Sequence, residues 1–138
     1  MSLAFVPIPI TQQAVYDCAA FWLPFLEGIS RRSKEPIADL VNAVWECRVQ
    51  IAFVWDGEKP RALIGIQYKK SGDELIAEII WLTGKGMREW QHLLPEMKRY
   101  LREHHGCTII RPICRPGWSR ELKKRGFKTT HYIMELAL

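Results

Sequence analysis

The sequence predicts an α/β chain in which a mixed, mostly antiparallel sheet carries helices on both faces. Three observations predict it. Three β-patterned runs follow one another across short turns, a helical run separates the third from a fourth apolar strand, and two helical runs precede them all. At 138 residues the chain is expected to form one domain over its whole length, with enough material to enclose a core.

Taken in order, Val6-Pro7-Ile8-Pro9 is broken by prolines and is expected as a short extended lead-in. Thr11 suits an N-cap, and Ala14, Val15, Cys18, Ala19, Trp22, Phe25 and Leu26 follow helical spacing. Pro24 is expected to kink or end that helix, Gly28 to close the region, and Arg31-Arg32-Ser33-Lys34 to form a polar loop. Pro36 then opens a helix whose apolar face holds Ile37, Leu40, Val41, Val44 and Trp45.

The period then changes. Residues 50–55 and 61–69 are strands joined as a hairpin across Asp56-Gly57-Glu58-Lys59-Pro60, and Ser71-Gly72-Asp73 turns into a third strand, 74–82. Thr83-Gly84-Lys85-Gly86 leads directly into a helix over 87–104, which Pro95 should bend near Gln91 and Gly106 should end. Residues 107–113 form the next strand, parallel to the third through the crossover helix. A basic helix over 118–125 stops at Gly126, and 127–138 is expected as a closing strand.

Strand, glycine turn and helix in immediate succession aim the free N–H groups of a helix start at one spot. Such a spot suits a phosphate or pyrophosphate. Charge agrees: residues 1–83 hold 8 Lys/Arg against 10 Asp/Glu, whereas residues 84–128 hold 12 against 4. An anionic ligand is expected on the basic half, unless that half is simply a solvated face.

Composition excludes other classes. No apolar run reaches the length of a membrane span, and the N-terminus lacks the basic start and apolar run of a secretory signal. Cysteines at 18, 47, 107 and 114 include no C-x-x-C pair, so free buried thiols in a reducing cytoplasm are expected and a zinc site is not.

The order αα-βββ-α-β-α-β, with a glycine turn after the third strand and Gly126-Phe127 opening the last, resembles the GNAT superfamily of acyl-CoA-dependent N-acetyltransferases, most clearly over residues 50–138. The family's pyrophosphate loop reads Q/R-x-x-G-x-G/A. Thr83-Gly84-Lys85-Gly86-Met87-Arg88 is similar to its R-G-x-G-x-G form, with Thr83 in the Arg/Gln place and Arg88 in the last glycine place; a frame shifted by two puts Trp81 there instead. The second marker, N-x-x-A-x-x-L-Y-x-x-x-G-F, falls on Arg115, Trp118, Glu121, Leu122, Gly126 and Phe127, and only Gly-Phe is kept. Arg115 replaces an asparagine that contacts the cofactor, and Leu122 replaces a tyrosine that often protonates the leaving thiolate. Chains with this Gly-Trp-x-Arg-x-Leu arrangement resemble GNAT-like proteins of phage and prophage origin.

The resemblance implies splayed central strands, acetyl-CoA as cofactor and a small-molecule or peptide amine as acceptor, with joining of edge or last strands into a homodimer common in similar proteins. It places cofactor contacts at Ile80, Trp81 and Leu82, where a backbone N–H polarises the thioester carbonyl, and at Thr83, Gly84, Lys85, Gly86, Met87, Arg88 and Arg115. Glu78, mid-strand between isoleucines, is the candidate base, since burial would raise its proton affinity. Its other reading is a cross-strand ion pair with Arg61 or Lys69. Tyr132 is the candidate acid and Tyr68 the other available phenol, with core or rim packing the favoured reading of both. Trp118 either covers the cofactor or fills its cleft. Two alternatives stand beside the enzyme. One is a GNAT-shaped binding or accessory protein without catalysis, favoured by Leu122, Arg115 and Trp118. The other is nucleic-acid binding by the basic half, which no recognised module or stacking pattern accompanies.

Overall fold

The computed structural model describes residues 2–84, 91–113, 116–131 and 134–138. Five strands lie in sequence order across one sheet: β1 (Ala4–Pro7), β2 (Gln50–Trp55), β3 (Pro60–Ser71), β4 (Glu74–Gly84) and β5 (Ile109–Pro112). The first three junctions are antiparallel and β4 to β5 is parallel, as the intervening helix requires. The proline-broken lead-in is thus a strand. Ala4 to Pro7 pair with Trp55 to Ala52, and β1 lies at the sheet edge, where a proline's missing N–H is tolerated.

Side chains of β2 and β3 alternate between two apolar layers. Ile51, Phe53 and Leu63 face one, and Ala52, Val54, Ile64 and Ile66 the other. The first layer is covered by α1 (Gln12–Asp17), α2 (Ala19–Ser33) and α3 (Ile37–Trp45), through Val15, Trp22, Leu26, Ile29, Leu40 and Val44. The second is covered by Leu93, Met97 and Leu101 of the segment leading into and along α4 (Leu94–His105). The last helix, α5 (Pro116–Lys123), closes the described elements.

The leading helices correct the sequence expectation. Thr11 caps α1 as expected, its hydroxyl accepting the Ala14 N–H at 3.2 Å. The break then falls at Cys18, and α2 runs through Pro24 and Gly28 to Ser33, ending at Lys34 in the left-handed region (φ 64). Proline inside a helix costs about 3 kcal/mol. Three buried side chains on that face, Trp22, Leu26 and Ile29, each contribute ~1.5–3 kcal/mol and outweigh it. Arg31 and Arg32 therefore belong to the last turn of a helix, not to a loop.

Asp56 organises the β2–β3 turn. Its carboxylate accepts the Lys59 and Glu58 N–H groups at 2.9 Å and the Arg61 Nε at 2.7 Å, which together hold its pKa down at about 2. On the far side of the sheet the described helical segment starts as a 3₁₀ turn at Gln91–Leu93 and becomes α-helical at Leu94. Pro95 occupies the first α-helical turn, where no N–H is needed, so it bends nothing. Gly106 ends α4 with φ 70.

A second correction concerns the chain end. The described residues of 127–138 join no strand, and Met134, Leu136 and Leu138 are exposed. Four-residue β5 stops on Pro112, which offers little edge for another ladder, and the Phe127 N–H instead folds back to the Leu122 carbonyl at 3.3 Å. Cys18, Cys47 and Cys107 are free thiols; Cys107 is buried and the other two half-buried, while Cys114 lies outside the described residues.

Candidate functional site

The parallel ladder between β4 and β5 is short. It runs from Ile76 opposite Ile109 to Ile79 opposite Pro112, and one further bond, Ile113 N–H to the Ile79 carbonyl at 2.9 Å, finishes it. Beyond that point, among the described residues, 81–84 pair with β3 alone. A bulge sits at the same place: Ile66 opposes Ile79, Gly65 opposes Trp81, and Ile80 is the extra residue. Gly65 permits this, because a Cβ there would lie 2.5 Å from the Trp81 ring. Bulge, proline and ladder end coincide at Ile79, and among the described residues β4 and β5 pair no further. The expected splay of the two strands falls at this point.

An apolar cleft opens beside the splay. Ile79 and Leu82 of β4, Pro112 of β5, Met97 of α4 and Leu122 of α5 line it, with Arg125 and Phe127 at one side. Its empty space, including the part open to solvent, is about 580 Å³. Leu122, at the position where the family marker carries tyrosine, is a buried wall residue. Trp118 is half-buried and packs against the second apolar layer next to this cleft.

The residues singled out from sequence fall as follows. Leu82 faces the cleft, Trp81 is buried in the first apolar layer, and Ile80 is half-buried against that layer. Thr83 is buried and its hydroxyl accepts a hydrogen bond from Arg32 Nη2 at 3.0 Å. Gly84 has φ +121, and a Cβ there would stand 2.7 Å from both the Ala62 Cβ and the Arg61 carbonyl. Glycine at 84 is thus demanded by close passage past β3. Lys85, Gly86, Met87, Arg88, Arg115 and Tyr132 lie outside the described residues.

Glu78 is buried, with 5% of its surface exposed. Its Oε1 meets Lys69 Nζ at 2.9 Å and its Oε2 lies 3.8 Å from Arg111 Nη1, Arg111 being its partner across the β4–β5 ladder. The Lys69 pair is one of the two that the sequence left open; Arg61 instead engages Asp56. Desolvation is compensated by two cations, one on each oxygen.

Arg32 is the site residue that sequence reasoning missed, because Arg31-Arg32-Ser33-Lys34 reads as a loop when α2 is ended at Pro24 or Gly28. The usable signal was Trp22, Leu26 and Ile29, whose i, i+4, i+7 spacing carries the helix past Gly28.

A second polar cluster lies away from Gly84, where β3 meets the end of α4. The Tyr68 hydroxyl donates to Gln50 Oε1 at 2.5 Å, Gln50 Nε2 donates to the Tyr100 oxygen at 2.7 Å, and Tyr100 lies 3.0 Å from His105 Nε2. Burial pushes the Tyr68 hydroxyl pKa up, and burial followed by the neighbouring His104 pushes that of His105 down. Among the described residues no group of three His, Cys, Asp or Glu could hold a metal, and no helix is long and apolar enough to cross a membrane.

No protein-family model matches the sequence, and no curated protein matches it. Solved structures do. A ribosomal-protein-alanine N-acetyltransferase from Brucella melitensis biovar Abortus 2308 superposes with a TM-score of 0.71 at 8% identity, covering 99% of this chain and 100% of that one. A predicted acetyltransferase with acetyl-CoA from Clostridium acetobutylicum gives 0.65 at 11%, covering 99% and 96%. A transcriptional regulator from Bacillus halodurans C-125 gives 0.66 at 15%, covering 99% and 100%. The likeness is one of fold: this chain has the α/β GNAT-like fold.

Proposed function

We propose that the protein is a GNAT-like N-acetyltransferase that moves an acetyl group from acetyl-CoA to a small-molecule or peptide amine. The observation that carries this reading is the splay of β4 from β5 at Ile79, with an apolar cleft beside it. The fold neighbours support it, one of them described with acetyl-CoA and one as an N-acetyltransferase.

The residues present suit such a cofactor. Ile79, Leu82, Pro112 and Leu122 offer an apolar wall to a pantetheine-like arm, and Arg125 stands at its side. Gly84, Lys85, Gly86, Met87, Arg88 and Arg115, with Thr83, are our candidates for holding the diphosphate. Acetyl-CoA would supply an acyl group activated as a thioester. In this reading the main chain of Ile80, Trp81 and Leu82 would polarise the carbonyl, Glu78 would take the proton of the amine as the C–N bond forms, and Tyr132 would give one to the thiolate released when the C–S bond breaks. Glu78 must exchange one of its cations for that proton, so it works as a base only when substrate displaces Lys69 or Arg111.

The test is ligand-induced stabilisation. A hundredfold excess of acetyl-CoA over its Kd should raise stability by about 2.7 kcal/mol, read as a rise in Tm. An unchanged Tm with acetyl-CoA, CoA and longer acyl-CoAs would remove the cofactor from the reading.

Two observations favour a second reading, a GNAT-shaped binding protein without catalysis. Both oxygens of Glu78 are engaged by cations, and the cleft wall carries Leu122, which has no proton to give. Glu78→Gln separates the two readings, since only an enzyme slows. Nucleic-acid binding by the basic half is the third; an affinity indifferent to added salt would exclude it.

A further inference from the structure

We propose that Arg31 and Arg32 form an anion site for an acidic group, a carboxylate or phosphate, carried by the acceptor amine. The inference rests on the acetyltransferase reading and adds the class of acceptor to it.

Two contacts place the site. Both guanidiniums fold back along α2 over Gly28: a Cβ at that glycine would stand 3.8 Å from Arg32 Nη1 and 3.9 Å from Arg31 Nη2. At these distances the two guanidiniums lie in ordinary van der Waals range of that position. Arg32 is then fixed in direction by its other terminal nitrogen, which donates to the buried Thr83 hydroxyl at 3.0 Å, next to Gly84 where β4 leaves the ladder.

The charge is unmatched. Among the described residues neither arginine has a carboxylate within ion-pair reach; Glu27, one turn before Arg31, and Glu35, just past the helix end, both leave them unpaired. Two guanidiniums beside one glycine repel each other, and a planar fork of N–H donors is suited to a bidentate oxyanion. The helix C-terminus contributes some favourable interaction with both cations, but it does not explain why Arg32 is turned onto Thr83.

The faces of the sheet distinguish the sources of the anion. The apolar cleft lies on the α4 and α5 side, whereas Arg31 and Arg32 belong to α2, on the opposite side. In this proposal the two faces meet where the β4–β5 pairing ends, at Ile79. A donor lying in the cleft presents its reactive end at this point, and an amine arriving from the α2 side meets it there with its acidic group on the arginines.

The test uses inorganic phosphate as probe, titrated calorimetrically into wild type and the Arg31→Gln/Arg32→Gln double variant, with and without saturating CoA. Both arginines are exposed, so the variant should fold, which circular dichroism checks. The expected result is saturable phosphate binding that weakens at least tenfold in the variant, persists with CoA bound, and leaves CoA affinity within twofold. In turnover, O-phosphoethanolamine should exceed ethanolamine in kcat/KM at least tenfold, and the variant should erase the difference. Equal phosphate binding by both proteins overturns the site. Displacement of phosphate by CoA, or a tenfold loss of CoA affinity in the variant, assigns the arginines to the cofactor's phosphates and overturns the acceptor. Equal use of the two amines by wild type does the same. Phosphate binding in a chain that ignores CoA refutes acetyl transfer, and the acceptor assignment with it.

Discussion

Gly84 and Glu78 look alike as sequence signals, a glycine in a phosphate-loop pattern and an acid in an apolar strand, yet the structure treats them differently. Gly84 is required by its φ of +121 and by Ala62 and Arg61 beside it. Gly84→Ala should therefore destabilise the fold by about 2 kcal/mol or more, lowering Tm by roughly 6–10 °C in a thermal melt without ligand. A glycine kept only for ligand approach would lose CoA affinity and leave that melt unchanged. Glu78 was visible as buried from its neighbours, and Lys69 was one of its two proposed partners. Arg111 was not visible as a partner, because the register of β4 against β5 follows from the crossover and no local pattern encodes it. Glu78→Gln should cut kcat/KM about a hundredfold or more if it serves as base, with CoA affinity within twofold; an unaltered rate would leave it as the ion pair alone.

At the scale of elements, strong periodicity was legible and exceptions to propensity rules were not. The bounds of β2 were read as they stand, and β3 and β4 within two residues. Errors gathered at prolines: Pro7 hid β1, Pro24 cut α2 short and Pro95 was given a bend. In each case tertiary burial or position in the element decided against local propensity. Pro24 lies well inside α2, so Pro24→Ala should restore a bond to the Ala20 carbonyl and stabilise by about 1–3 kcal/mol, checked by urea unfolding. The closing strand failed for the opposite reason. Residues 127–138 were expected to close the sheet, but β5 gives them only four residues of edge. Of the candidate site, the splay followed from the resemblance, whereas Arg32 depended on the length of α2.

For the molecule as a whole, acid should weaken the fold in two stages. Gln50 gives an amide proton to the Tyr100 oxygen, which lies 3.0 Å from His105 Nε2. Burial, with His104 second, lowers the His105 pKa below its ordinary value of 6.5. The unfolded chain therefore takes the proton first, and stability is full above pH 6.5 and falls as pH drops below it. His105→Gln should flatten the slope of Tm just below pH 6.5. Asp56 acts lower down. Its carboxyl is depressed from 3.8 to about 2, so its contribution is present above pH 4 and lost between about 4 and 2. Asp56→Asn should remove that second stage.

The brevity of β5 has a consequence for motion. β3 is hydrogen-bonded along both sides by long local neighbours, while β5 holds on by four residue pairs at the border of the sheet. Amide exchange should accordingly be slowest in β3 and quickest among the strands in β1 and β5. Detaching β5 breaks few bonds and widens the space beside Ile79 and Leu82. The side of the groove that must yield to admit something bulky is thus the side the fold can release most cheaply.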